Sequence, residues 1–470
     1  MTDNKPASQS RGIHRLTLAI FCLALSACGA SSEVANLGIP PLATAPTVPT
    51  LKIADFAVPE GASSETSQAQ FRVNLAPASD QTVSVNFATA DKDATAGDDY
   101  TAAVGNVTFA PGEIEKVVMV DIIGDDGEEP KERFFVTLSD ASGAELGDFQ
   151  ALGTIANDDS PCELPASGSP NPWMEADRLL LNYSHRGGAE DFAENTLYSY
   201  KKSVEIGAHV LEMDVFENVD GDLIVIHDST VDRTTNSSGD VSSFTTAELK
   251  AMDAAYWFVP SIGMVTDAPE SDYAFRGIAT GQRTPPADYD ANDFTIPTLE
   301  EILQTFPDEL INIELKPDPD STGSYAIKVA ELLLKYGRND DVIVASFIDE
   351  PATELKLSAP CVSTSFPTGQ AAAAVTQSQT TGVILNPAGH HAFQVPPSLG
   401  VTVVTPAFVE DAHDANIAVH VWTIDDCQEM VDLLNMDVDA IMTDRPSLLA
   451  QLLEQEPGSW TCDTVIWPLE

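Results

Sequence analysis

Residues 179–188 have the sequence Leu-Leu-Leu-Asn-Tyr-Ser-His-Arg-Gly-Gly. The apolar run predicts a short buried strand, and the Gly-Gly pair predicts that this strand ends in a turn. His185 and Arg186 lie where the strand gives way to the turn, a position at which polar side chains face the opening of a site rather than the hydrophobic core. The segment therefore predicts a strand that brings a histidine and an arginine to a functional site.

Three later segments, 210–216, 223–228 and 310–316, are also strand-like and also carry charged residues. Their polar members are Glu212, Asp214, His227, Asp228, Glu314 and Lys316. Two histidines, three carboxylates, an arginine and a lysine on successive strands predict metal-assisted chemistry on an anionic group.

Strands and helices alternate from 176 to 455. The predicted strands are 179–185, 209–216, 222–227, 310–316, 342–347, 361–366, 418–424 and 440–443. About eight strands with intervening helices predict an α/β (β/α)8 TIM barrel, whose active site lies at the carboxyl ends of the strands. An aromatic-rich insertion at 254–295 is interpreted as a cap over the barrel mouth, and the alternative is a surface decoration packed on its own aromatics.

The segment 51–159 has period-two alternation of apolar residues between turn signals. This pattern predicts an all-β antiparallel sandwich of roughly seven strands. The predicted organisation is a signal peptide (1–28), a linker (29–50), the sandwich (51–159), a linker (160–175), the barrel (176–455) and a tail (456–470).

The formal net charge of the 470-residue chain is −50. Nucleic-acid binding is disfavoured, since phosphate backbones require basic patches. An acidic surface suits a calcium-rich exterior, or it serves solubility alone. The hydrophobic fraction of 43% is sufficient for folded cores.

The N-terminus has a basic region followed by a short apolar run, 16–24, and then Leu25-Ser26-Ala27-Cys28. This order is similar to a bacterial lipobox, which predicts export and lipidation of Cys28. The protein is then expected in the bacterial cell envelope, anchored by lipid to the outer membrane or on the periplasmic face. The alternative is an ordinary secretory signal.

Four other cysteines remain after the signal segment: Cys162, Cys361, Cys427 and Cys462. An even number in an exported protein predicts disulfides, with three possible connectivities. We favour Cys162–Cys462, which would join the flanks of the barrel, together with Cys361–Cys427.

The first domain resembles the Calx-beta family. The resemblance rests on segments 58–61 (Val-Pro-Glu-Gly), 94–100 (Ala-Thr-Ala-Gly-Asp-Asp-Tyr), 109–113 (Phe-Ala-Pro-Gly-Glu) and 155–159 (Ile-Ala-Asn-Asp-Asp). Some family members bind calcium with acidic residues, whereas others serve only as spacers. The matching candidates here are Glu60, Asp99, Asp125, Asp126, Glu129, Glu132, Asp158 and Asp159.

The second domain resembles the glycerophosphodiester phosphodiesterase family. The matching motifs are 185–188 (His-Arg-Gly-Gly), 194–197 (Glu-Asn-Thr-Leu), 212–215 (Glu-Met-Asp-Val), 227–236, 312–317, 421–423 and 442–446 (Met-Thr-Asp-Arg-Pro). The resemblance implies a metal-dependent barrel that cleaves glycerophosphodiesters to an alcohol and glycerol 3-phosphate. It further implies Glu212, Asp214 and Glu314 as metal ligands and His185 and His227 as the acid/base pair.

The residues themselves support these roles. Glu212 and Asp214 are two apart on one strand and face the same way, which is unfavourable without a cation between them. All-oxygen ligands favour Mg²⁺ or Ca²⁺ over zinc. The alternative is that Arg186 and Lys316 merely pair with these carboxylates.

Histidine titrates near neutral pH and can either take or give a proton, and the assignment of acid and base stays open. Arg186 and Lys316 would neutralise the phosphoryl oxygens. Glu194 and Asn195 are expected to line the substrate site, with Asn195 alternatively a helix cap, and Trp422 is expected to form a wall for the glycerol.

Two routes to product are open, because either a substrate hydroxyl or a water molecule could attack the phosphorus. Alternative functions are a lysophospholipase D or cyclising phospholipase, and a calcium-dependent adhesin with an inactive barrel. The oligomeric state is not predicted.

Overall fold

The computed structural model describes residues 48–63, 66–163, 169–174, 180–316 and 325–467. The predicted signal segment, including Cys28, lies outside these residues. Within the ranges given, no helix combines the length and apolar composition needed to cross a membrane.

The first domain is a sandwich of two sheets. The strands are β1 (Thr50–Ile53), β2 (Phe56–Pro59), β3 (Thr66–Ala76), β4 (Val83–Asp91), β5 (Val104–Phe109), β6 (Glu115–Ile123), β7 (Glu132–Ser142), β8 (Glu145–Leu146) and β9 (Gln150–Ala156). One sheet has the order β6-β3-β1-β8 and the other β2-β9-β7-β4-β5. The alternation seen in the sequence places Phe71, Phe109 and Phe134 in the core between the sheets, each fully buried. The β-sandwich prediction is confirmed.

The second domain is a nearly closed barrel of eight parallel strands. These are β10 (Leu181–Ser184), β11 (Val210–Glu217), β15 (Leu310–Leu315), β16 (Val342–Ser346), β17 (Ser363–Thr364), β18 (Ala392–Val395), β19 (Ala418–Val421) and β20 (Ala440–Thr443). Their order is β17-β16-β15-β11-β10-β20-β19-β18. A single parallel bridge between Ser365 and Ala392 brings the two ends of the sheet together. The TIM-barrel prediction is confirmed.

Three short strands lie outside the barrel wall: β12 (Leu223–Val225), β13 (Phe258–Val259) and β14 (Gly263–Met264). The helices are α1 (Leu197–Glu205), α2 (Thr246–Lys250), α3 (Leu299–Thr305), α4 (Tyr325–Lys335), α5 (Asp349–Ser358), α6 (Thr368–Thr381), α7 (Pro406–Asp414), α8 (Cys427–Leu434) and α9 (Pro446–Leu453). Threonine side chains cap several of them, as Thr196 does for α1 by accepting from the Ser199 amide.

One predicted barrel strand is wrong. Residues 222–227 were expected to form a wall strand, but β12 pairs antiparallel with β11 and lies outside the eight-strand path. Conversely, β18 was not predicted, because four residues between uncharged loops give little periodic signal. One strand was predicted in excess and one was missed, so the predicted number of barrel strands, eight, is still correct.

The predicted disulfide pairing is also wrong. The bonds are Cys162–Cys361 and Cys427–Cys462. Cys162 follows the sandwich directly and reaches the segment after α5, whereas Cys427 begins α8, against which the C-terminal tail packs. Each bond therefore secures a flanking segment to the barrel.

The insertion at 254–295 packs its aromatic rings against α1. Tyr198 of α1 lies 4.7 Å from Phe275 and 4.8 Å from Phe294, measured between ring centroids. The insertion also reaches the loop after β10, where the Ser261 amide donates to the Glu190 carbonyl. Its role as a cap over the mouth stays a prediction.

Charged side chains join the sandwich to the barrel at several points. Residues 51–159 contain six lysines and arginines, and four of them form ion pairs with barrel carboxylates: Lys52 with Asp288, Arg72 with Glu301, and Lys131 and Arg133 with Asp308. Arg133 Nη2 lies 2.7 and 2.8 Å from the two oxygens of Asp308. Asp308 lies two residues before β15, the strand that carries Glu314.

Candidate active site

Three carboxylates converge at the carboxyl ends of β11 and β15. The strand pair places Asp214 directly opposite Glu314, and Glu212 lies on the same face of β11 as Asp214. One oxygen from each of the three residues lies within 4.8 Å of the others. Glu212 and Asp214 are only 2% and 0% exposed, so water does little to screen their repulsion.

Two cations border this carboxylate group. Lys316 Nζ lies 2.9 Å from Asp214 Oδ1 and 2.8 Å from Glu314 Oε1, and Arg186 Nε lies 3.6 Å from Asp214 Oδ2. The Lys316 ammonium is close to Asp214 Oδ1 and Glu314 Oε1 but poorly aligned for a hydrogen bond with either buried oxygen, and a hydrogen bond weakens steeply when it is misaligned. Each of these oxygens therefore has acceptor capacity left for a further ligand.

The three carboxylates differ in how burial and neighbouring charges shift their pKa values. Burial and the Asp214 charge raise the pKa of Glu212 to about 7, although His185 opposes the shift. Burial and Asp214 likewise raise the pKa of Glu314, against the effect of Lys316. Burial opposes ionisation of Asp214, but Lys316 and Arg186 outweigh it and lower its pKa. Burial and repulsion by Asp214 thus disfavour ionisation of Glu212 and Glu314, and a divalent cation bound among the three carboxylates would favour it.

The turn after β10 positions His185 and Arg186. Arg186 adopts a left-handed conformation with φ 54°, and its backbone amide donates to Glu212 Oε2 at 2.7 Å. His185 Nδ1 lies 2.6 Å from Asp444 Oδ1. Burial opposes the charged form of His185, but Asp444 and Glu212 outweigh it and raise its pKa to about 9.

The second histidine follows β12 rather than a barrel strand. His227 Nδ1 lies 2.6 Å from Asp228 Oδ1, and Arg233 Nε donates to the other oxygen of Asp228 at 2.7 Å. The hydrogen bond from His227, with those from Arg233, holds the pKa of Asp228 well below its usual range. Both histidines therefore have Nδ1 bound to a carboxylate, which leaves proton exchange to Nε2.

Glu194 and Asn195 belong to the same network. Glu194 accepts two hydrogen bonds from Arg233, at 2.7 and 2.8 Å, so each of its carboxylate oxygens already has an arginine N–H as donor. Asn195 Nδ2 donates to Asp214 Oδ2 at 3.4 Å, and Asn195 Oδ1 accepts from the buried Tyr200 hydroxyl at 2.7 Å. The helix-cap alternative for Asn195 is wrong, because Thr196 caps α1.

Trp422 follows β19 and is half-buried. Its ring meets that of Phe347, at the end of β16, edge-on at 5.6 Å. The pair forms an apolar side of the barrel mouth, which is compatible with the predicted substrate wall.

The acidic candidates of the sandwich divide into two groups. Glu60, Asp158 and Asp159 form one group, and Asp99, Glu129 and Glu132 form the other, each within 4.8 Å by ligand atoms. The two remaining candidates accept local hydrogen bonds, Asp125 from the Gly127 amide and Asp126 from Ser63. Burial and neighbouring acids raise the pKa values of Glu60 and Glu132 to about 7.

Sequence reasoning gave no role to Asp444 and Tyr200. Asp444 comes from the polar Thr443-Asp444 pair directly after β20, a signal similar to the one that identified His185. Tyr200 lies on a helix and looked like an ordinary core residue, so no sequence signal distinguished it.

Comparison with known proteins identifies two matching families along the chain. Residues 185–448 match the glycerophosphoryl diester phosphodiesterase family, and residues 52–159 match the Calx-beta domain. The chain belongs to the glycerophosphoryl diester phosphodiesterase family. A glycerophosphodiester phosphodiesterase of Caldanaerobacter subterraneus subsp. tengcongensis is 27% identical over 277 residues, which cover 58% of this chain and 98% of the relative.

More distant similarities extend to other members of this family. The human lysophospholipase D GDPD1 is 29% identical over 160 residues, covering 34% of this chain and 43% of the relative. A crystal structure of a glycerophosphodiester phosphodiesterase from Agrobacterium tumefaciens is 25% identical, with a TM-score of 0.43, over 58% of this chain and 99% of that one.

Proposed function

We propose that this phosphodiesterase hydrolyses glycerophosphodiesters to an alcohol and glycerol 3-phosphate at a divalent-metal site formed by Glu212, Asp214 and Glu314. The observation that carries the proposal is the convergence of these three carboxylates, two of them buried, beside two histidines. The name of the Caldanaerobacter relative, glycerophosphodiester phosphodiesterase, supports the same reaction.

The carboxylate group fits a hard divalent cation. Its ligands are all oxygens, they lie within 4.8 Å of one another, and burial and mutual repulsion raise the pKa values of two of the three carboxylates in the absence of a cation. A cation bound there supplies positive charge that lowers the barrier to attack on a phosphodiester anion. Mg²⁺ and Ca²⁺ both suit this ligand set.

The residues of the chain supply the remaining chemistry. One of His185 and His227 takes a proton through Nε2 from the attacking group, either water or a substrate hydroxyl, and the other gives a proton to the departing alkoxide. Asp444 and Asp228 hold the two rings in place through Nδ1. Arg186 and Lys316 add positive charge where negative charge develops on the phosphoryl oxygens.

A substrate panel tests this function. The purified protein would be incubated with glycerophosphocholine, glycerophosphoethanolamine and glycerophosphoglycerol, and with lyso- and diacyl-phosphatidylcholine, and the products would be followed by phosphorus NMR. We expect glycerol 3-phosphate from at least one of them, and a transient cyclic phosphate would identify attack by the substrate hydroxyl. Absence of turnover on every diester, lyso and diacyl substrate would refute the proposal and favour the adhesin hypothesis.

Lysophospholipase D activity is a second candidate. The similarity to a lysophospholipase D and the apolar Phe347–Trp422 side of the mouth favour it. Release of lysophosphatidic acid rather than glycerol 3-phosphate, at higher kcat/KM on lyso substrates than on deacylated ones, would establish this alternative.

We further propose that the two acidic groups of the sandwich bind Ca²⁺. Calorimetric titration with Ca²⁺ tests this binding, with Glu60→Gln and Glu132→Gln as variants of the two groups.

We also propose that the protein is exported and lipid-anchored at Cys28. Metabolic labelling with palmitate tests the anchor, with Cys28→Ser as the control.

A further inference from the structure

A C-terminal segment that lies beyond the family match packs against the loops of the site. The family match ends at residue 448, and the structure describes the chain as far as residue 467. We call residues 456–467 the tail segment. The Cys427–Cys462 disulfide joins the tail segment to the start of α8. Contacts that the tail segment makes with the site are therefore additional to those within the matched region.

Two glutamines at the end of α9 hold the backbone of the tail segment. Gln451 Nε2 donates to the Ile466 carbonyl at 3.0 Å, and the Ile466 amide donates back to Gln451 Oε1 at 3.0 Å. Gln455 makes the same reciprocal pair with Thr461, at 2.9 and 2.8 Å. Together with the disulfide, these hydrogen bonds fix the chain immediately before Trp467.

Trp467 contacts two loops at the carboxyl ends of the barrel strands. Its indole Nε1 donates to Asp191 Oδ1 at 2.7 Å, and the Arg445 guanidinium stacks on its ring at 3.9 Å from the ring centroid. Arg445 also donates to Glu190 Oε2 at 2.7 Å and to the Asp425 carbonyl at 2.8 Å. Trp467 therefore joins the loop after β10 to the loop after β20.

Asp191 holds the main chain around Asp444. Its backbone amide donates to the Asp444 carbonyl at 3.3 Å, and its carboxylate oxygen Oδ2 accepts from the Ser447 amide at 2.9 Å. Trp467 donates to the other oxygen of the same carboxylate. The main chain from which the Asp444 side chain reaches His185 is therefore fixed in part by Trp467.

We propose that Trp467 is a positioning residue that keeps Asp444 in place to orient His185. This role rests on the catalytic use of His185 in the proposed function. Trp467 acts through Asp191 and Arg445, so its loss should impair proton transfer rather than substrate binding. A small displacement of Asp444 is sufficient, because reaction rates depend steeply on the distance and direction between the reacting groups. The alternative is that the tail segment only stabilises the barrel.

Two matched substitutions distinguish these roles. Trp467→Phe removes the indole N–H and keeps an aromatic ring beside Arg445. Trp460→Phe is the control, because Trp460 lies in the same tail segment and packs against the same hydrophobic cluster. Its indole Nε1 makes no hydrogen bond with the part of the chain that the structure describes.

Steady-state kinetics on a glycerophosphodiester would be measured for both variants, with circular dichroism to verify that each is folded. We expect Trp467→Phe to lower kcat about tenfold while KM changes less than about twofold. Trp460→Phe should leave both parameters unchanged. An unchanged kcat in Trp467→Phe, or an equal fall in the two variants, would overturn the proposal.

A double-mutant cycle with Asp444→Asn tests the route by which Trp467 acts. If both residues act through the orientation of His185, adding Trp467→Phe to Asp444→Asn should lower kcat by less than about twofold more. A full further loss of about tenfold would overturn the proposal, because the two effects would then be independent.

His185→Ala separates this proposal from the proposed function. An active His185→Ala protein would overturn the proposed function and the positioning role together. An inactive His185→Ala protein beside a fully active Trp467→Phe protein would overturn the positioning role alone.

Discussion

Asp444 Oδ1 lies 2.6 Å from Nδ1 of His185, although the two residues are 259 positions apart in the chain. The contact joins the end of β20 to the end of β10, two neighbouring strands of the barrel. It fixes the orientation of an imidazole next to the carboxylate group. His227 obtains the same support from the residue that follows it, Asp228.

Asp444→Asn should lower kcat by about 100-fold or more while changing KM little, because a misoriented or wrongly protonated imidazole fails in proton transfer rather than in substrate binding. The pH optimum should also shift, since the charge that raises the pKa of His185 is removed. Steady-state kinetics between pH 5 and 10 measure both effects. Asp432→Asn, an exposed change on α8, is the control, and an unchanged kcat in Asp444→Asn would contradict the assigned role.

In the metal-free protein, kept in EDTA, ionisation of Glu212 should lower the free energy of unfolding as the pH rises. Its folded pKa of about 7 exceeds the ordinary value of 4.5. The stabilisation is therefore fully present below pH 4.5 and is lost as pH rises to about 7, a difference of about 3 kcal/mol. Thermal unfolding in EDTA should show this loss, whereas Glu212→Gln should flatten it.

The same experiment with a divalent cation provides the complementary result. Because the cation binds ionised carboxylates, the rise in Tm on adding Mg²⁺ or Ca²⁺ should be larger at pH 7.5 than at pH 5. An equal rise at both pH values, or none, would argue against a cation site at this group.

Asp308→Asn should weaken the contact between sandwich and barrel. The substitution removes the ion pairs with Lys131 and Arg133, and we expect a loss of about 1 kcal/mol, because the carboxylate is half exposed. Differential scanning calorimetry should show the sandwich unfolding separately from the barrel. Asp340→Asn, an exposed aspartate of the barrel, is the matched control and should leave the unfolding profile unchanged.

Removal of the Cys162–Cys361 bond should destabilise the protein more than removal of Cys427–Cys462. The two bonds span 199 and 35 residues, and closing a longer loop restricts the unfolded chain more. Cys162→Ser/Cys361→Ser should cost about 2–4 kcal/mol in denaturant unfolding. A smaller loss than for Cys427→Ser/Cys462→Ser would contradict this ranking.

The sequence was most informative where polar residues interrupt apolar strands. Glu212, Asp214 and Glu314 could be predicted to converge, because parallel strands in register bring their carboxyl ends together. His227 was predicted at the site but on the wrong kind of element, since three apolar residues do not reveal whether their strand pairs parallel or antiparallel. The Asp444–His185 contact could not be predicted, because it depends on closure of the barrel.

Uncharged regions were the least predictable. Helix α6 contains four successive alanines and a single larger apolar residue, Val375, so its sequence has no apolar stripe to define a helical period. The disulfide pairing failed for a different reason. Sequence spacing does not show that Cys162 turns back onto the end of α5 immediately after the sandwich.

The most direct test of the account is a chelation and reconstitution assay of glycerol 3-phosphate release. EDTA should abolish the activity of the native protein, and Mg²⁺ or Ca²⁺ should restore it. The same ions should fail to restore Asp214→Asn, whose fold would be verified by circular dichroism. Full activity in EDTA, or a normally reactivated Asp214→Asn protein, would contradict a catalytic metal site at Glu212, Asp214 and Glu314.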